Sequence, residues 1–282
     1  MKDLFSDVSV LYQQARPIYP HSIIQEILKY VPNRQFVWDC GAGSGQFTQL
    51  LVPYFEQIVA TDLSSQQLHR AAYFENVSYQ VQQAEQTSFA DQSFDLITVA
   101  QAIHWFDCEQ FYTEVKRTLK KDGVLAVLGY GLIKAKDVEL NRLIQQLYFE
   151  TLKGYWDVER AHIDHAYQTL PFPFDEIAAP TSEMTFSWSA EQLLGYLNTW
   201  TGLKHYRNSH NPYNNRESAD PLLAIVNYLD QTEKLIDVQF PVFMRIGKLK
   251  ALKRKNKILK NKSPVNMILK RVSLGLKAFA DA

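Results

Sequence analysis

The chain has 282 residues, 46% of them hydrophobic and 21% charged, which suits one catalytic domain with an elaboration, or two small domains, around a sizeable core. Only Cys40 and Cys108 occur, which excludes a disulfide framework and a CxxC zinc pattern, and no apolar run approaches the length of a membrane-spanning helix. The net charge of zero hides twelve Lys or Arg against Asp281 alone in residues 245–282, a net +11 that leaves −11 on the remainder; so acidic a body argues against broad nucleic-acid binding by the core, DNA included, while the basic tail leaves that question open.

The opening Met-Lys-Asp-Leu-Phe-Ser-Asp lacks the continuous apolar stretch of a secretory signal, so a cytoplasmic protein is expected. From Phe36 to Leu128 short apolar runs alternate with amphipathic stretches, the pattern of a parallel sheet with helical crossovers. Strands are predicted at Phe36–Trp38, Ile58–Ala60, Val77–Val81, Phe94–Ala100 and Val124–Leu128, the last two apolar enough to be buried on both faces. Helices are predicted near 46–55, 65–74 and 107–120, and Lys121-Asp122-Gly123 reads as the turn into the fifth strand. Beyond Tyr130 helical spacing covers Val138–Leu152, followed by an aromatic segment containing His162 and His165 and by Pro171-Phe-Pro173, a candidate cap over the sheet. Met184–Trp188 and Val238–Arg245 read as further strands, Ala190–Trp200 as a helix and Asn208–Asn215 as an open loop.

The first strand runs into Asp39-Cys40-Gly41-Ala42-Gly43-Ser44-Gly45, which places three glycines at the carboxyl edge of a parallel sheet, where open α/β folds bind ligands. Position 46 is Gln46, where a dinucleotide GxGxxG would need glycine, and the Lys-Ser or Lys-Thr of a phosphate-binding P-loop is absent. An acid directly before the glycines repels a pyrophosphate but suits an ammonium group, which the methionine half of S-adenosylmethionine supplies. Asp62, 23 residues after Asp39 at the end of the second strand, is placed to accept ribose hydroxyls, with Leu63 beside it. After the third strand Gln83-Ala84-Glu85 is placed to meet an adenine edge, or forms an ordinary polar turn.

With these residues placed, the chain resembles the class I S-adenosylmethionine methyltransferases (methyltransferase type 11 domain), particularly the trans-aconitate methyltransferase-like group that acts on small carboxylate-bearing molecules. Tyr12-Gln-Gln-Ala-Arg16-Pro17-Ile-Tyr19-Pro20 is similar to the group's YxxxRPxYP opening, and Ala100-Gln101-Ala102-Ile103-His104-Trp105-Phe106-Asp107 to its AQAxHWF(D) segment. Arg117-Thr-Leu-Lys-Lys-Asp-Gly123 matches the usual RxLKPGG with Lys121-Asp122 in place of Pro-Gly, and Glu191–Trp200 is similar to the group's late helix. The resemblance implies a Rossmann-like sheet, mostly parallel, of seven strands with the last antiparallel, and helical cap insertions. It divides the chain into lid helices at 1–34, a cofactor-binding core at 35–130, cap helices with the last strands at 131–247 and a basic extension at 248–282. It implies cofactor contacts from Tyr12, Arg16, Ala100 and Gln101 beside those of Asp39, Gly41, Gly43, Gly45, Asp62, Leu63, Gln83, Ala84 and Glu85. Tyr19, His104, Trp105 and Trp200 become candidate substrate residues, His104 and Trp105 facing the transferred methyl.

The reaction expected is in-line displacement of a methyl group onto an oxygen, with S-adenosylhomocysteine as product. A carboxylate acceptor is already ionised at neutral pH and needs no base. Arg16, Arg207 or a tyrosine hydroxyl are alternatives for holding it. His104 shapes the site or acts as general base toward a hydroxyl or amine. No [DNS]PPY sequence follows the fourth strand, which argues against methylation of base amino groups. His162 and His165 lack further ligands at a recognised spacing, so no metal is expected. The oligomeric state is not legible. Lysines from Arg245 to Lys262 alternate with apolar residues at partly helical spacing, and such a segment suits RNA or an anionic membrane. This supports an alternative reading, an RNA-binding or membrane-associated protein whose methyltransferase domain is inactive or acts on a large substrate.

Overall fold

The computed structural model describes residues 16–210, 220–231 and 235–250. After the helix His21–Leu28, strands β1 (Phe36–Cys40), β2 (Gln57–Asp62), β3 (Val77–Val81), β4 (Phe94–Ala100) and β5 (Leu119–Tyr130) form a parallel set, followed by the two-residue β6 (Lys134–Ala135). Further on lie β7 (Asp175–Ile177), β8 (Ser182–Trp188) and β9 (Ile236–Lys248). The sheet runs β3-β2-β1-β4-β5-β9, with the short β6 beside β5 on one edge of β9 and β7 and β8 on its opposite edge, and every partner of β9 is antiparallel to it. The expected parallel sheet with a final antiparallel strand is present, and two very short strands on β9 raise the total to nine.

Side-chain alternation explains why the central strands read as continuous apolar runs. Val37, Ile58, Leu96, Ala126 and Leu128 point into one core with the helix His21–Leu28, whereas their neighbours Trp38, Val59, Ile97, Leu125 and Val127 join a second core. Both faces of the sheet are thereby covered, as a parallel sheet requires. Asp95, almost fully buried, ties the layers at the amino end: it accepts the backbone N–H groups of Gln35 and Phe36 and the ammonium of Lys120.

Several local expectations are corrected. Lys121-Asp122-Gly123 is no turn before β5 but a bulge within it, since Phe94 pairs with Leu119 and Leu96 already with Val124. The helix expected at 46–55 is reduced to Thr48–Leu51, with Pro53 two residues beyond, and the one at 65–74 to Ser65–Leu68. Asn76 takes over as donor to the carbonyls of Val52 and Phe55. The helix Cys108–Thr118 matches its prediction because Asp107 caps it through the N–H groups of Glu109 and Gln110. Val138–Gln146 is helical and passes into a π turn at Leu147–Thr151, while the helix expected over Ala190–Trp200 ends at Leu197 and a further helix, Thr201–Ser209, starts just after Trp200. The first residues counted with the basic tail, Arg245 to Lys248, belong to β9 rather than to a helix. The segment from 251 onward, like Tyr12 and most of the Asn-rich loop, lies outside the described residues. Among the described residues no helix is long and apolar enough to cross a membrane.

Candidate functional site

One large cavity opens at the carboxyl ends of β1, β2 and β4, where the strand ends and the following turns leave backbone groups uncommitted. The glycine loop leaves β1 with φ of +71° at Gly41, +56° at Gly43 and +77° at Gly45. Gly41 and Ala42 donate their N–H groups to the carbonyl of Thr61 (2.8 and 2.9 Å), which pins the loop to β2. Gly41 also lies against the segment after β4: a Cβ there would come within 2.6 Å of Ala102 Cβ. Gly41 and Gly43 line the cavity, whereas Gly45 turns toward Ala71 and Tyr79 and shapes the loop from behind.

Asp39 is fully buried at the cavity wall and accepts the hydroxyls of Thr48 (2.6 Å) and Thr98 (2.8 Å). Burial pushes its carboxyl up to about 6 against the pull of the two hydroxyls, with Asp62 adding repulsion. A carboxylate in this position has a use for a cation. Asp62 has both oxygens held, Oδ2 by the N–H of Gly43 and Oδ1 by that of Ser64, each at 2.9 Å, so its orientation is set by backbone. Leu63 and Ala84 line the cavity too, but Gln83 and Glu85 do not. Gln82 takes the expected place of Gln83, because alternation along the chain leaving β3 turns 82 and 84 to the same side; Glu85 instead accepts the N–H of Asp107.

Beyond β4, Ala100, Gln101, His104 and Trp105 all reach the cavity. Gln101 adopts φ +56°, rare for a residue with a side chain, and is fixed there by its N–H to the Leu128 carbonyl and by its amide Nε2 to the Tyr130 carbonyl (both 2.9 Å). Its Oε1 is buried and has no partner among the described residues. His104 is 8% exposed, with Nδ1 3.0 Å from the hydroxyl of Tyr167. Burial, with the nearby guanidinium charges of Arg160 and Arg16 adding to it, pushes its imidazole down to about 3, so the ring is neutral.

Arg16 and Tyr19 arrive from the N-terminal segment and Trp200 from the break between the two late helices. Arg16 donates through Nη1 to the hydroxyl of Tyr130 (3.1 Å), and the buried hydroxyl of Tyr19 has no partner among the described residues. The residues that sequence reasoning missed lie mainly in the aromatic cap segment. Trp156, Asp157 and Arg160 line the cavity; Arg160 lies 5.4 Å from the ring centres of both Tyr148 and Trp156 and donates Nε to the Tyr148 hydroxyl (2.9 Å). The aromatic density of 148–167 signalled an enclosed cap, but no spacing distinguished these three side chains. Asp157 Oδ2 is another buried atom with no partner among the described residues. Orphaned polar atoms are rare in folded proteins, and the side chains of Tyr19, Gln101 and Asp157 that carry these all line one cavity, as in a site built for a polar ligand.

Arg207 is not brought to this site. It lies near the far end of Thr201–Ser209, with its guanidinium bound to Asp220 (3.0 and 3.1 Å) and Asn198 (2.6 Å) at the surface. Arg207→Ala is expected to leave cofactor affinity unchanged by calorimetry and to lower stability by less than about 1 kcal/mol, because exposed pairs are screened. Among the described residues no group of three or more His, Cys, Asp or Glu side chains is arranged to hold a metal, and His162 and His165 bond instead to Thr169 and to the carbonyl of Ala161.

Comparison with known proteins agrees with this geometry. Residues 38–127 match the family model of a methyltransferase domain. A Dictyostelium discoideum protein named as a candidate methyltransferase is 34% identical over 249 residues, covering 87% of this chain and 95% of its own. A solved structure from Anaeromyxobacter dehalogenans, described as a candidate type II methyltransferase, is 35% identical with a TM-score of 0.75, covering 84% of this chain and 99% of its own. A candidate S-adenosylmethionine-dependent methyltransferase of Saccharomyces cerevisiae is 30% identical over 131 residues, or 43% of this chain and 45% of its own. By fold, by glycine loop and by likeness to relatives along nearly their whole length, the chain belongs to the class I S-adenosylmethionine-dependent methyltransferases.

Proposed function

We propose that the protein transfers a methyl group from S-adenosylmethionine to a carboxylate oxygen of a small molecule. The observation that carries this reading is the division of charge along one cavity: Asp39 and Asp62 at the glycine loop, Arg16 from the N-terminal segment and Arg160 from the cap. Asp39 suits the ammonium of the methionine moiety, and Asp62, oriented by two backbone N–H groups, suits a ribose diol. When bound, the cofactor supplies an electrophilic methyl group on a sulfonium. Gly41 and Gly43 would admit it to the backbone, Gln82 and Ala84 would flank its adenine end, and Trp105 would offer an aromatic face to its positive charge.

The protein's part in the chemistry is then alignment and exclusion of water, for which positioning alone supplies effective molarities of roughly 10⁵ M or more. Arg16, Arg160 and the Tyr19 hydroxyl are donors on cavity-lining side chains that suit the acceptor's carboxylate. His104, neutral and with its imidazole pushed down to about 3, is poorly matched to removing a proton at pH 7. The test is calorimetric titration with S-adenosylmethionine and with NAD, followed by a screen of small carboxylates for methyl acceptance. Binding of NAD alone overturns the reading. For an acceptor found in the screen, kcat at saturating cofactor is expected to be flat from pH 7 to 9, whereas a limb there marks a general base.

A further inference from the structure

His104 has a partner that decides how it can act. Tyr167 is fully buried, and its hydroxyl meets Nδ1 of His104 at 3.0 Å, the one hydrogen bond that this hydroxyl makes among the described residues. Burial pushes the phenol's ionisation up, so the O–H persists at neutral pH. If Nδ1 carried the ring hydrogen, Tyr167 would accept it and its own proton would be left buried without an acceptor, which is the costly arrangement. With Tyr167 donating to Nδ1, the buried contact is satisfied and the single hydrogen of the neutral ring sits on Nε2, on a side chain that lines the cavity, where water or a ligand accepts it. We propose that Tyr167 is a positioning residue that holds His104 as the Nε2–H tautomer, so that His104 meets the methyl acceptor as a hydrogen-bond donor and not as a base.

The backbone around Tyr167 is built to keep this contact. Ala166 and Tyr167 are both left-handed, at φ +51° and +59°, a conformation that persists only where the surroundings impose it. Arg245 on β9, 8% exposed, imposes it: Nη1 donates to the carbonyls of Tyr167 (3.0 Å) and Leu170 (2.8 Å), while Nε and Nη2 are held by Glu176, both at 2.8 Å. Phe243 packs edge-on against the Tyr167 ring from the same strand. The central sheet thus sets the hydroxyl, and the hydroxyl sets the imidazole.

The consequence for specificity rests on the methyl-transfer reading above. A cavity whose histidine donates from Nε2 and which is lined by Arg16 from the N-terminal segment and Arg160 from the cap is suited to an acceptor oxygen that is already anionic. An acceptor lone pair forms the carbon–oxygen bond, the carbon–sulfur pair leaves with the neutral thioether, and the carboxylate charge and the sulfonium charge cancel with no proton moved. A neutral alcohol or ammonium acceptor would require a proton acceptor that His104 in this tautomer does not provide.

The test is nitrogen NMR of the full chain carrying ¹⁵N-labelled histidine at pH 7, with His104 assigned by its loss in His104→Gln. The Nε2–H form is expected to exceed the Nδ1–H form by roughly ten to one or more, the ratio that an orphaned buried donor imposes. Tyr167→Phe, which keeps the ring against Phe243, is expected to lower that ratio about tenfold and to leave the affinity for S-adenosylmethionine unchanged. A wild-type ring bearing hydrogen on Nδ1, or on both nitrogens, overturns the proposal, as does an unaltered ratio in Tyr167→Phe. Should that variant fail to fold, the wild-type ratio decides. Absence of S-adenosylmethionine binding strikes the functional reading instead and leaves the tautomer measurement intact.

Discussion

Asp39→Asn is expected to weaken S-adenosylmethionine binding by about 10- to 150-fold, the worth of one charge-assisted hydrogen bond of roughly 1.5–3 kcal/mol, while leaving the fold intact. The two halves of that expectation have one cause. The Asp39 carboxyl is buried between two threonine hydroxyls and is raised from 3.8 to about 6, so in the free protein its ionised form is held at a cost. A group whose folded pKa lies above its unfolded one stabilises fully below the unfolded value, and that increment is lost as pH rises through about 6. At pH 7 the charge therefore opposes folding, and an amide of the same shape relieves it. Thermal stability of Asp39→Asn should equal or exceed that of the parent at pH 7. Ammonium binding reverses the balance, because it favours the ionised form. Affinity of the parent should fall as pH drops below about 6, by up to tenfold per unit, while Asp39→Asn shows no such limb. Calorimetry from pH 5 to 8 on both proteins reads this directly, and a parent affinity independent of pH over that range rejects the assignment of Asp39 to the ammonium.

The second large effect is expected at Gly41. Alanine there must hold φ +71° and place a methyl group 2.6 Å from Ala102 Cβ and 3.2 Å from the Phe106 ring. Left-handed strain of about 1–2 kcal/mol adds to overpacking of about 1–3 kcal/mol, for a total near 3 kcal/mol. In a chain of this size that lowers Tm by roughly 6–10 °C. It also separates the glycine loop from the Ala100–Phe106 segment, so cofactor affinity should fall with stability. Gly154 is the internal comparison: it too is left-handed, at φ +86°, but nothing lies within 4 Å of its would-be Cβ. Gly154→Ala is expected to cost only the strain, about 1 kcal/mol, and to spare binding. Equal destabilisation of the two variants, measured by thermal melts, means that the contact of Gly41 with Ala102 is not tight.

What sequence by itself determined is everything that adjoining residues encode. The run Asp39 to Gly45 is one strand end and one turn, its glycines needed at positive φ, and Asp62 follows at the end of the neighbouring strand, so chemistry and spacing were legible together. The parallel core was legible because Leu96–Ala100 and Val124–Leu128 lie between two covered faces and are hence almost wholly apolar. Helix ends were less so, since Pro53 and the tertiary bonds of Asn76 overrode the helical pattern. The contribution of the cap segment to the cavity was decided by tertiary structure alone. Arg160, Asp157 and Trp156 stand in an aromatic stretch whose spacing says nothing of which side chains face inward, and Arg207, an equally reasonable arginine, is claimed by Asp220 at the surface. The protonation of His104 lies further still from anything local. It depends on desolvation, on a tyrosine 63 residues away and on an arginine 78 residues beyond that, which come together only when β9 closes the sheet. Backbone conformation is a short-range property that sequence carries openly; burial and long-range hydrogen bonding exist only once the chain has packed.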